Sequence, residues 1–216
     1  MNKKNRWRYL DYLFITRPML FFPGWNTLMA GYLSAAGAAS GMGIFYPVVG
    51  YPAMAAAMLA FMTAMGGSFI LNQLQDVESD RKNNKLFLVG NGFVNEDGAR
   101  KESFFLIGFS LVLGFLIHWQ VFLWCAVFIT ATGYFYNYPP VCGKDRPFWG
   151  LILNMLMGWL AFAIGWSSAA AINMNLLVHS LPYLFFNTAL YLITTLPDRE
   201  GDKAAGKRTL SVIWGG

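Results

Sequence analysis

The sequence predicts an all-α protein, a polytopic transmembrane bundle of six helices. Three observations point there. Charged residues make up 12% of the 216 and hydrophobic residues 56%, whereas a soluble domain carries about 25% charged. Residues 18–75, 103–143 and 147–197 contain no charge at all. Each of these runs is too long for one crossing of about 20 residues and long enough for two joined by a turn. Threaded that way, all 16 Lys and Arg fall on one side of the membrane.

The expected helices run at 18–36, 53–75, 103–118, 120–137, 150–171 and 176–196. The first opens at Arg17-Pro18 and carries Pro23, Gly24 and Asn26; membrane helices tolerate Pro and Gly where neighbours satisfy the freed backbone groups. The second is rich in Ala, Gly and Ser from Ala55 to Ser68, which permits close helix packing. Lys3, Lys4, Arg6, Arg8 and Arg17 precede the first helix, and Arg81, Lys82, Lys85, Arg100 and Lys101 follow the second. Lys144 and Arg146 follow the fourth, and Arg199, Lys203, Lys207 and Arg208 follow the sixth. The positive-inside rule makes that side cytoplasmic. The expectation is an integral protein of a prokaryotic plasma (inner) membrane, with its N-terminus and acidic clusters in the cytoplasm.

The basic start followed by an apolar run superficially resembles a signal peptide, but the further hairpins favour a retained first crossing. The net charge of +5 reports topology, not nucleic-acid binding. Cys125 and Cys142 make no disulfide framework or zinc site. His118 and His179 fall near the outer helix ends and read as interfacial residues. No linker divides the chain, so residues 1–216 read as one domain.

Chemistry concentrates in two acidic clusters. Asn72, Asp76 and Asp80 are spaced i, i+4, i+8, which puts them on one helix face. Asp198 and Asp202 repeat the i, i+4 spacing after the sixth helix. Both clusters emerge at the same membrane surface. Crowded carboxylates repel, and cations relieve the repulsion. Mg²⁺ takes one or two carboxylates and keeps its other positions for water and substrate phosphate. Four carboxylates and a diphosphate of about −3 call for roughly two Mg²⁺ and some Lys or Arg.

These motifs resemble the UbiA superfamily of intramembrane prenyltransferases. The family has Asn-x-x-x-Asp-x-x-x-Asp after its second helix and Asp-x-x-x-Asp after its sixth, matched here by Asn72/Asp76/Asp80 and Asp198/Asp202. The run from Asp198 through Gly206-Lys207-Arg208-Thr209-Leu210 is similar to the family's segment. Arg17-Pro18 with Asn26 resembles its opening, and Tyr138-Pro139-Pro140 with Lys144 its loop after helix four. Two departures stand out. Asp80-Arg81-Lys82-Asn83-Asn84-Lys85 continues into Leu86-Phe87-Leu88-Val89, without the usual Pro-x-Arg-Pro. The family also generally has nine helices, so the expectation is a chain lacking the C-terminal three.

The resemblance implies Mg²⁺-dependent transfer of an isoprenoid from a prenyl diphosphate to a small-molecule acceptor, often an aromatic ring, inside the membrane. It implies Asp76, Asp80, Asp198 and Asp202 as metal ligands with Asn72 assisting. Lys144 is expected on the diphosphate, with Arg17, Tyr138, Asn26 and Lys203 as further substrate-binding candidates. Membrane lipid is the expected surrounding partner, and nucleic acid is not. Two other classes compete with this reading. A CDP-alcohol phosphotransferase is suggested by Asp97-Gly98-Ala99-Arg100, but the residues from Phe104 onward are apolar where that motif needs more acids. A non-enzymatic cation transporter normally places ionisable groups at mid-membrane, whereas here the acids read as lying at one edge.

Overall fold

Residues 8–42, 50–82, 88–197, 199–204, 206 and 208–214 are described in this structure, a computed structural model; of residues 8, 38–42 and 78–82 only the backbone is described. Six long helices follow the order expected. They are α2 (Phe21–Met42), α3 (Tyr51–Lys82), α4 (Glu96–Ile117), α5 (Trp119–Phe128, continued by a π-helical turn Ile129–Phe135), α6 (Pro147–Ser167) and α7 (Met174–Thr195). A short α1 (Arg8–Ile15) and a 3-10 turn (Pro18–Leu20) precede them, and α8 (Arg199–Ala204) and α9 (Leu210–Trp214) follow. Tyr51–Val77, Pro147–Ser167 and Met174–Thr195 are each long and apolar enough to cross a membrane.

Local chemistry sets the boundaries. Asn95 caps α4 by accepting from the Gly98 amide, and Glu96 and Asp97 sit in the first turn, where a carboxylate complements the helix N-terminus. Asp97 is thus a helix-end acid. His118 is extended and its Nδ1 accepts from the Gln120 amide, so α4 ends and α5 begins at this one residue. The fold-back needs Gly114, where a Cβ would sit 3.2 Å from the Phe122 backbone. Asn173 caps α7 through the Asn175 and Leu176 amides.

The helices close on one another as α2–α3–α4–α5–α6–α7, and α7 returns to α2. The closest approach joins α2 to α6. A Cβ on Gly31 would strike the Phe162 carbonyl, and one on Gly165 the Leu28 carbonyl. The small residues of α3 also behave as expected: Ala57, Ala60 and Ala64 are fully buried, and a Cβ on Gly67 would meet Ile107 and the Ser103 carbonyl of α4. Phe61, Phe128, Leu160 and Ile164 centre the core.

Three of the differences from the expected boundaries bear on the site. α3 runs unbroken from 51 to 82, through the first acidic cluster. α4 starts at Glu96, seven residues early, which puts Glu102 on the helix, half-buried. Asp202 of the second cluster lies on the separate helix α8, because Pro197 has no N–H with which to continue α7.

Candidate active site at the acidic end of the bundle

Helix α3 holds Asn72 and Asp76 one turn apart. Asn72 Nδ2 donates to Asp76 Oδ2 (3.1 Å) and to Asn137 Oδ1 (2.7 Å). From the opposite side Lys144 Nζ donates to Asp76 Oδ1 at 2.5 Å, with the two side chains 10% and 21% exposed. At that burial the ion pair is screened less than a surface pair, and its two charges matter more to each other.

The segment after α5 is shaped to deliver these partners. The π-helical turn widens the helix end, and Tyr136 donates its amide to the Ala131 carbonyl. Asn137, fully buried, donates from Nδ2 to the carbonyls of Thr132 (2.9 Å) and Gly133 (3.0 Å). Such π turns recur at functional sites because they re-aim side chains without ending the helix. Gly133 lets this segment lie against α3: a Cβ there would be 3.3 Å from Leu71 and 3.4 Å from Ser68. Cys142 adopts the left-handed conformation (φ 44°) and turns the chain into the 3-10 turn Gly143–Asp145. The Lys144 amide then donates to the Tyr136 carbonyl at 3.1 Å. Gly143 packs tightly here: a Cβ would push aside the end of the Leu153 side chain.

Tyrosines connect this network to the second cluster. The Tyr136 phenol is buried, shares a hydrogen bond with Asn154, and lies within electrostatic reach of Tyr191 and Asp76. Asp202 in turn lies within electrostatic reach of the Tyr191 phenol. The order Asp76–Tyr136–Tyr191–Asp202 therefore runs across the acidic end of the bundle. Asp202 is half-buried, and Thr209 Oγ1 donates to it at 3.4 Å, tying α8 to the start of α9. Arg199 keeps its Nε buried without a hydrogen-bond acceptor among the described residues. Asp198 lies outside the described residues, as does the side chain of Asp80. Among the described residues no three His, Cys, Asp or Glu side chains come together.

The other expected site residues are spread more widely. Arg17 is left-handed (φ 55°) at the junction of α1 and the 3-10 turn. Asn26 lines a cleft of about 610 Å³ between α2 and α7, with Pro23, Pro182, Tyr183 and Phe186. Tyr138 stacks on Tyr134, ring centres 5.8 Å apart, and faces Arg100 of α4. Lys203 is exposed on α8. A second cavity of about 240 Å³ reaches into the bundle. Its walls are apolar on α2, α3 and α5 (Phe61, Met65, Phe128) and polar on α6 and α7 (Asn154, Asn187, Tyr191). Asn187 lines both cavities.

Sequence reasoning missed Asn137, Tyr136, Tyr191 and Arg199. Asn137 carried a readable signal, an amide side chain closing a charge-free run beside Tyr-Pro-Pro. The tyrosines carried none, because nothing in their spacing separates them from the other aromatics of the chain.

Fold and site together define a membrane-embedded helical bundle with a carboxylate and lysine centre at one end. The UbiA prenyltransferase family matches residues 19–216, and the chain belongs to that family. A digeranylgeranylglyceryl phosphate synthase of Methanobrevibacter smithii is 26% identical over 166 residues, 74% of this chain and 57% of that one. The chloroplastic 2-acyl-4-prenylphloroglucinol 6-prenyltransferase of Humulus lupulus is 29% identical over 161 residues, 67% of this chain and 38% of that one. The chain thus spans about half the length of these curated relatives. A UbiA homologue from Archaeoglobus fulgidus, solved with DMAPP and Mg²⁺, superposes with a TM-score of 0.76 at 25% identity, covering 95% of this chain and 69% of that one.

Proposed function

We propose that this chain carries the Mg²⁺-dependent prenyl-transfer centre of an intramembrane prenyltransferase, moving an isoprenoid from its diphosphate to a small acceptor, with an aromatic ring as the favoured class. The observation that carries this is the Asp76 carboxylate held between Lys144 and Asn72, with Tyr136 lying between it and Asn154 and Tyr191 of the cavity that enters the bundle. The solved homologue binds DMAPP or GPP with Mg²⁺. Two relatives, the phloroglucinol prenyltransferase and a homogentisate phytyltransferase of Synechocystis, have aromatic acceptors in their names. A glycerol phosphate acceptor is the second reading, favoured by the digeranylgeranylglyceryl phosphate synthases.

The donors present suit the metal. Mg²⁺ prefers hard carboxylate oxygens, and the two clusters supply them from Asp76, Asp80, Asp198 and Asp202, with Asn72 assisting. Bound there, Mg²⁺ supplies positive charge that stabilises the departing diphosphate. Lys144 adds a cation beside Asp76, and Arg17 remains a candidate diphosphate contact by the family resemblance alone. Arg199, whose buried Nε has no acceptor among the described residues, is suited to an anionic oxygen. The aromatic and aliphatic wall of Phe61, Met65 and Phe128 keeps water from the allylic cation left behind. Asn154, Asn187 and Tyr191 offer hydrogen bonds that orient a polar acceptor. The positive-inside pattern supports a cytoplasmic acidic end.

The test is turnover in nanodiscs with Mg²⁺, geranylgeranyl diphosphate and a panel of aromatic and glycerol phosphate acceptors, read by mass spectrometry. A prenylated product that disappears in Asp76→Ala supports the proposal and names the acceptor. Diphosphate release that persists in Asp76→Ala and Asp198→Ala would overturn the metal assignment.

A further inference from the structure

Away from the acidic centre, a third cavity of about 310 Å³ opens between α1, α2, α3 and α4. Leu13, Phe21, Trp25, Met62 and Leu106 make its walls apolar. Two hydroxyls also line it, but both donate within their own chain segment: Thr16 Oγ1 to the Leu13 carbonyl (2.7 Å) and Thr63 Oγ1 to the Leu59 and Ala60 carbonyls (3.0 Å each). Among the described residues the cavity wall has one ionisable side chain, Glu102. Its Oε2 is buried and has no hydrogen-bond donor among the described residues.

The position of Glu102 in the fold is equally specific. It is the last charged residue before the charge-free run 103–143. The next residue, Ser103, donates from Oγ to the Gly67 carbonyl of α3 at 2.8 Å. Gly67 precedes Asp76 by nine residues, roughly 14 Å along a helix, so Glu102 is separate from the acidic centre. Helix α1 exposes Tyr9, Leu10 and Phe14, as a helix lying in the membrane interface does.

A carboxylate oxygen buried in apolar surroundings without a donor is costly, and a cation with N–H donors compensates it best. We propose that this cavity is a binding site for an aminophospholipid of the surrounding bilayer, with the primary ammonium on Glu102 and an acyl chain against Phe21, Trp25, Met62 and Leu106. The carboxylate sets headgroup preference and the apolar walls set chain occupancy. Neither uses a residue of the acidic centre, so the site is independent of the prenyl-transfer reading.

Native mass spectrometry of the full chain in detergent tests this, using phosphatidylethanolamine, phosphatidylcholine and phosphatidylglycerol of identical acyl chains. The expected result is phosphatidylethanolamine retained roughly tenfold over the other two, the value of one charge-assisted hydrogen bond. Glu102→Gln should erase that preference, and Leu13→Trp should reduce all three adducts by filling the mouth. Equal retention of the three lipids by the unmodified chain would overturn the proposal, and this arm needs no variant to fold. A preference that survives Glu102→Gln would overturn the ion pair, and phosphatidylethanolamine displaced by Mg²⁺ and geranyl diphosphate would assign the cavity to the prenyl-transfer site instead.

Discussion

Asn137→Leu is the substitution that tests the geometry most sharply, because Asn137 touches no substrate in the proposed scheme yet organises the groups that do. The side chain is fully buried and makes three hydrogen bonds. Leucine has nearly the same shape and makes none of them. The Thr132 and Gly133 carbonyls each lose a donor, and Asn72 loses the acceptor that fixes its amide. A buried group left without its partner costs about 1–3 kcal/mol. Some relaxation of the π turn is expected, so the total should be about 3 kcal/mol. For a chain of this size each kcal/mol lowers the thermal midpoint by about 2–4 °C, giving a fall of roughly 6–12 °C in detergent. The Asn72→Leu, Asn137→Leu double variant should lose much less than the two singles added together, because both remove the same bond. A midpoint within about 2 °C of the parent, or strict additivity, would refute the claim that this network holds the site together.

Other consequences follow from the same contacts. Lys144→Met should weaken Mg²⁺-dependent diphosphate binding by roughly tenfold or more, the value of a hydrogen bond to a charged group, and isothermal calorimetry would show it. Gly165→Leu should disrupt the α2–α6 crossing, since even a Cβ strikes the Leu28 carbonyl; loss of a monodisperse peak in size-exclusion chromatography is the readout.

Much of this molecule was legible in its sequence because the membrane imposes rules that composition records. Three charge-free runs gave the six long helices in order, and the helix period put Asn72 and Asp76 on one face. Harder to read was anything decided between segments. Glu102 belongs to a charged block by sequence and to a cavity by packing, because α4 begins seven residues before its apolar run. The expectation that all acids lie at one edge missed this. The π turn at Ile129–Phe135 leaves no mark in hydropathy, so Asn137 looked like the start of a loop. Tyr136 rather than Tyr138 meets Asp76, since the turn directs Tyr138 onto Tyr134 and toward Arg100. Arg17, Asn26 and Lys203 were nominated by resemblance, and they sit respectively at a helix junction, in the α2/α7 cleft and on the exposed face of α8.

The most direct measurement is Mg²⁺-dependent binding of geranylgeranyl diphosphate to the purified chain in nanodiscs, followed by calorimetry in the parent, Asp76→Asn and Asp202→Asn. If the two acidic clusters form one diphosphate site, binding is saturable, requires Mg²⁺, and is lost in both variants. Binding that ignores Mg²⁺, or that survives loss of either aspartate, would contradict a shared metal-diphosphate centre at this end of the bundle.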